Sequence, residues 1–182
     1  GGISSCAVEP GLLACSTLCR ELKSVEAVYI SHDYGNSWRV SLEGLEKGGI
    51  YFNTSYMKPQ YNGGVSILHW MSDIKINPFN KDEVWFNSGT GVFGSDKFTS
   101  DNAQYHDKCT GIEETVHLNV YAPLGGDVKL LDIVGDLGAF AFDKLDEPCR
   151  NSFDDAEGNR YITCINADLS DENYDVAIVT AR

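Results

Sequence analysis

Turn signals fall so densely along this chain that no long regular element fits between them. "EPG" stands at 9–11, "DYGNS" at 33–37, "EKGG" at 46–49, "YNGG" at 61–64 and "NPFNKDE" at 77–83. "GSD" follows at 94–96, "PLGGD" at 123–127 and "DAEGN" at 155–159. Glycine, proline, asparagine and aspartate each favour a tight reversal for their own steric or hydrogen-bonding reason. Between the turns lie short runs rich in β-branched and aromatic residues: "EAVYIS", "VSILHW", "DIKINP", "EVWFNSG", "TVHLNVYAP" and "VKLLDIVG". Several alternate apolar and polar positions, the pattern of a strand with one buried face. No window carries a helical period. The expectation is an all-β protein of short antiparallel strands.

One turn is unusually specific. "SHDYGNSW" follows the apolar run "VEAVYI" and reads Ser31-x-Asp33-x-Gly35-x-x-Trp38. A serine and an acid at this spacing can accept backbone N–H groups inside the turn. Gly35 supplies the positive φ such a turn needs. Trp38 is expected to fold back and bury a large apolar surface on the hairpin. These four residues read as structural, not catalytic.

The strand-turn order repeats. "ISSCAVEPGLLACS…VEAVYISHDYGNSW" runs strand, Pro-containing turn, strand, strand, closing turn. "MSDIKINPFNKDEVWFNSGTGVFGSDKFT" follows the same order, and "TCINADLSDENYDVAIVTAR" starts it again. A unit of three or four strands repeated in this way is how a β-propeller blade reads.

Charge and cysteine content narrow the function classes. The 182 residues carry a net charge of −13, which argues against nucleic acid and against docking on anionic membranes. No apolar run reaches membrane-spanning length. The six cysteines form no CxxC pair, and with four histidines a zinc cluster is poorly supported, so neither metal nor cofactor is expected. An even cysteine count suits disulfides in a secreted chain, with local Cys15–Cys19 and Cys149–Cys164 bridges, against six reduced thiols in a cytosolic one. "NTS" at 53–55 makes Asn53 a glycan acceptor that agrees with secretion. The chain opens on "GGISSC" without methionine and closes on a strand-like run, so a processed piece of a longer protein is expected.

Four phrases carry a resemblance: "WM-x-D-I-K-I-x-P-F-N", "GTGVFGS", "GIEET" and "VGD-x-G-x-F", within residues 70–140. They resemble glycoside hydrolase family 74, the xyloglucanases and related β-1,4-glucan hydrolases, built from two seven-bladed propellers. The likeness covers most of this chain but only the middle of a family member. It implies a partial propeller. Residues 1–145 would be the last blades of a first propeller with the candidate catalytic loop, and 146–182 a linker and the opening strands of a following blade.

The family hydrolyses by inversion, using two aspartates across a cleft. The acid of "VGDLGAF", Asp136, matches one of them; no acid here matches the other. The resemblance implies a secreted enzyme acting on a polysaccharide or oligosaccharide. The remaining part of the precursor, or another chain, would complete the propeller and bring the second acid. The sequence departs from the family at Ala139, where the family has glycine. It departs again at 17–26, where "TLCRELKSVE" has no aromatic in place of a tryptophan-rich, ring-stacking loop. The absent second acid, the missing tryptophan platform and the added cysteines favour a competing reading, a non-catalytic secreted propeller used for glycan binding or as a structural glycoprotein.

Other side chains carry readings of their own. Trp70 is a candidate sugar platform, with core packing as the commoner fate of such a residue. Tyr56 and Tyr61, in the Gly-rich loop "NTSYMKPQYNGG", are candidate carbohydrate contacts. Glu113 and Glu114 are adjacent and so point to opposite faces of a strand. Asp154, Asp155 and Glu157 lack the ordered spacing of a calcium loop and read as a solvated loop. The histidines are scattered, and no Ser-His-Asp order stands out.

Overall fold

In the first sheet, each expected turn joins neighbouring strands. β1 (Ile3–Ser5) and β2 (Leu13–Ser16) pair across "AVEPGL", with Gly11 at φ 95°. β3 (Ala27–Ser31) and β4 (Arg39–Glu43) pair across the Ser31–Trp38 turn, giving the antiparallel order β1-β2-β3-β4. The computed structural model describes residues 1–18, 26–43, 49–54, 68–112, 115–147, 149, 151–153, 161, 163–174 and 176–181. Among them every regular element is a strand.

The second sheet repeats the order with β6 (Ile74–Asn77), β7 (Asn80–Ser88), β8 (Gly91–Ser95) and β9 (Gln104–Asp107). A fifth strand, β5 (Gly49–Tyr51), adds to β9 in parallel, which local pattern does not reveal. Asp107 explains the attachment. Its buried carboxylate accepts the Asn53 and Thr54 N–H groups and the Thr54 hydroxyl, tying the end of this segment to β9.

These two sheets form one compact unit, residues 1–54 and 66–113. Alternation does the burying: Ile74 and Ile76 of β6, Val84 and Phe86 of β7, and Phe93 of β8 all turn inward. Burying a side chain of this size stabilises by about 1.5–3 kcal/mol. Polar groups cross between the sheets with partners. The Ile76 N–H donates to Ser4 Oγ at 3.0 Å, and Ser41 Oγ lies 2.7 Å from the Tyr105 hydroxyl. Tyr105 is fully buried, and that burial pushes its phenol well above the usual range.

The second unit, residues 55–65 and 114–182, holds a third meander and a hairpin. β10 (Val116–Tyr121), β11 (Leu130–Gly135), β12 (Gly138–Phe142) and β13 (Asn151–Ser152) pair in that order, with a register shift between His117 and Asn119. β14 (Cys164–Leu169) pairs with β15 (Ala177–Ala181). Leu131, Ile133 and Ala139 of the meander meet Cys164 and Ala167 of the hairpin in one core. The blade boundary expected at 145/146 falls inside this unit, between β12 and β13.

The cysteine expectation is corrected. No disulfide joins any of Cys6, Cys15, Cys109, Cys149 and Cys164; Cys19 lies outside the described residues. Cys164 is spent on core packing, where burial raises its thiol, while Cys149 Sγ donates to the Ala141 carbonyl at 3.1 Å. Sequence proximity brought the two no closer to a bridge, because their side chains serve different partners.

Candidate active site and sugar platform

An antiparallel meander sends alternate turns to opposite ends of its sheet. The turns between strands one and two and between three and four share an end; the turn between two and three lies at the other. Asp33 stands in a third-to-fourth turn, Asp136 in a second-to-third turn.

Asp33 sits in a closed hydrogen-bond system. Its Oδ1 accepts Ser31 Oγ–H and Ser37 N–H, each at 2.8 Å, and its Oδ2 accepts Ser37 Oγ–H at 2.6 Å. Ser31 Oγ accepts Gly35 N–H at 2.9 Å, and Gly35 takes φ 87° as the sequence requires. The Ser37 hydroxyl, then the Ser37 amide and the Ser31 hydroxyl hold the Asp33 carboxyl down at about 2. Trp38 differs from expectation: 39% of it stays exposed, and its indole N–H donates to the Gly35 carbonyl at 3.0 Å. The indole closes the turn by a hydrogen bond more than by burial.

Asp136 is placed otherwise. The register pairs Val134 with Gly138, leaving Gly135, Asp136 and Leu137 as the reversal between β11 and β12. Asp136 takes φ 63°, a left-handed conformation that an aspartate tolerates better than most residues. Its side chain is exposed. Gly138 follows at φ 87°, and a Cβ there would lie 2.8 Å from the Tyr161 carbonyl oxygen, so only glycine fits. The turn is pinned by a residue that sequence reasoning missed. Thr163 Oγ1 accepts Asp136 N–H at 3.0 Å and lies 3.4 Å from Asp136 Oδ1. Thr163 stands 27 residues downstream, so no local pattern announces it.

Trp70 is 67% exposed and sits at φ 52°. Its ring stands edge-on to His69, with centroids 5.2 Å apart. Gly89 and Ser88, at the β7–β8 turn, both hydrogen-bond the His69 carbonyl, and a Cβ at Gly89 would run into the His69 ring. A tryptophan that is both out of the core and at a positive φ is unusual on two counts. Among the described residues, Trp70 does not pack into the core. In chain order Trp70 enters where one blade hands over to the next, beside a second-to-third turn, the same kind of turn that carries Asp136 in its own sheet.

Asn53 is exposed, with its backbone tied to Asp107. Tyr56, Tyr61, Glu113, Glu114, Asp154, Asp155 and Glu157 lie outside the described residues. Among the described residues no cluster of three His, Cys, Asp or Glu side chains could hold a metal ion.

A second association was also missed. His117 Nδ1 hydrogen-bonds Asp132 at 2.8 Å, and His117 Nε2 lies 2.5 Å from Thr115 Oγ1. The available signal was the acid inside the apolar run "LLDIVG", since a buried carboxylate demands a partner.

Three antiparallel meanders and the start of a fourth define a protein built of β-propeller blades. No family model matches the chain. Its likeness is nonetheless specific: over most of its length the chain is similar to a segment of GH74 xyloglucanases. The GH74 xyloglucanase from Xanthomonas campestris superposes with a TM-score of 0.72 at 25% identity, over 92% of this chain and 22% of that one. The GH74 enzyme of Niastella koreensis shares the fold, with a TM-score of 0.74 at 20% identity over 98% of this chain. An oligoxyloglucan-reducing end-specific xyloglucanase of Emericella nidulans is 25% identical across 81% of this chain and 22% of its own length. A xyloglucanase of Acetivibrio thermocellus reaches 37% over 83 residues, 43% of this chain and 10% of its own. The chain thus spans less than a quarter of the length of these curated relatives.

Proposed function

We propose that this chain is the part of a secreted xyloglucanase-like hydrolase that contributes one catalytic carboxylate, Asp136, to inverting cleavage of a β-1,4-glucan. The observation that carries the reading is an exposed aspartate at φ 63° in a turn whose next glycine tolerates no side chain. The turn holds one carboxylate out to solvent on a backbone fixed by Gly138 and Thr163. Similarity to xyloglucanases over 81% and 84% of the chain supports the substrate class.

Inversion needs an acid to protonate the leaving oxygen and a base to activate water, roughly 6.5–9.5 Å apart. Asp136 supplies one of the two. The second comes from the remaining part of the precursor or from another chain, which also completes the propeller. Trp70 offers an apolar face to a glucosyl ring, and Tyr56 and Tyr61 are proposed as further contacts. Ser31, Asp33, Gly35 and Trp38 form an Asp-box that closes its blade and takes no part in catalysis. Asn53, exposed within "NTS", is the proposed glycan acceptor in an extracellular protein.

A second reading, glycan binding without cleavage, draws on the same exposed Trp70. Incubation of the full protein with xyloglucan separates the two. Release of reducing ends, with the α-anomer appearing first by proton NMR, supports inversion of the β-linkage. A β-anomer product would exclude inversion. Retention of xyloglucan on an affinity gel with no new reducing ends would leave the binding reading alone.

A further inference from the structure

We propose that Thr163 is the positioning residue of the Asp136 carboxylate, an inference that rests on the hydrolase reading of Asp136. One hydroxyl makes both contacts: its oxygen accepts the Asp136 N–H at 3.0 Å, and its proton points to Asp136 Oδ1 at 3.4 Å. The first contact fixes the backbone of a residue in the left-handed region; the second sets the direction of its side chain. With Oδ1 facing Thr163, Oδ2 is left for solvent or substrate.

Thr163 is itself firmly seated. It is 9% exposed, its backbone bridges Gly138 in parallel, and the next residue, Cys164, is fully buried in the core. Gly138 completes the arrangement, because only a residue without a side chain lets the Tyr161 carbonyl come this close to the turn. A carboxylate oriented by a rigid neighbour meets substrate without first being ordered, which is the advantage of a preorganised group. Thr163 touches neither water nor sugar in this scheme and acts only through Asp136.

Two substitutions test it in the full protein. Thr163→Val keeps shape and removes the hydroxyl; Thr163→Ser keeps the hydroxyl. The Asp136 amide, read by NMR hydrogen exchange, should exchange at least about tenfold faster in Thr163→Val and near the wild-type rate in Thr163→Ser. On xyloglucan, kcat of Thr163→Val should fall about tenfold with KM within about twofold, and Thr163→Ser should recover it. An unchanged Asp136 amide in Thr163→Val overturns the proposal, as does an unchanged kcat in an active enzyme or a failure of serine to restore either readout. If the wild-type protein releases no sugar, the hydrolase reading of Asp136 falls, and amide exchange alone decides whether Thr163 holds the turn.

Discussion

Around Asp33, donors from Ser31 and from both the amide and hydroxyl of Ser37 converge on one carboxylate. Around Asp136, the described contact to the carboxylate is the Thr163 hydroxyl at 3.4 Å. Both acids sit in hairpin reversals of similar sheets, and both turns use a glycine at φ 87°. The difference lies in what the turn does with its acid. Asp33 spends its acceptors on its own loop and has little left for another molecule. Asp136 keeps most of its acceptors unspent, although both turns hold a non-glycine residue at positive φ, Tyr34 at 60° and Asp136 at 63°. A satisfied carboxylate is part of the frame; an exposed one on a pinned turn keeps its acceptors for solvent or another molecule.

The largest effect that can break this comparison is on hydrolysis. Asp136→Asn should lower kcat on xyloglucan by about 10²–10⁴-fold, the range for a general acid or base, while Tm moves by no more than about 2 °C. Asp33→Asn should do the reverse, lowering Tm with sugar release per folded molecule unchanged. Equal activity loss in both variants would erase the distinction between them.

Next comes backbone strain. Gly138→Ala should cost about 1–3 kcal/mol in urea unfolding, since it combines positive φ with a clash at the Tyr161 carbonyl. Gly111→Ala is the matched control: φ is +84° there but a Cβ meets nothing within 4 Å, so the cost should be about 1 kcal/mol.

A pH series sharpens the Asp33 half. Its folded-state value, about 2, lies below the ordinary aspartate value of 3.8, so unfolding takes up protons in that interval. The stability it lends is therefore whole above pH 3.8 and lost as pH falls toward about 2. The Tm gap between wild type and Asp33→Asn should be widest above pH 4 and close over that window, provided both remain folded at its acid end. The smallest effect belongs to Trp38→Phe, which removes the hydrogen bond to Gly35 and should cost about 0.5 kcal/mol, read as a slight fall in Tm.

What could be read from the residues followed from locality. Alternation in "DIKIN" and "EVWFNS" placed Ile74, Ile76, Val84 and Phe86 inward, and Ser31, Asp33 and Gly35 announced their turn by spacing alone. Asp136 was legible only through a resemblance; its own neighbourhood reads as any acid beside a glycine. What escaped was non-local. Thr163 reaches Asp136 across 27 positions, β5 joins β9 in parallel through Asp107, and His117 finds Asp132 across a bulge. The cysteine expectation failed on the same ground, because spacing along the chain says little about which side a thiol faces.

Thr163 also bears on the order in which this protein becomes itself. The β11–β12 reversal is a local hairpin, of a kind that closes early and fast. Its lock arrives with β14, after more than twenty further residues have been placed. Asp136 thus gains this contact only once a segment 27 positions downstream has docked on its hairpin. A chain caught half-made would carry the acid without its aim.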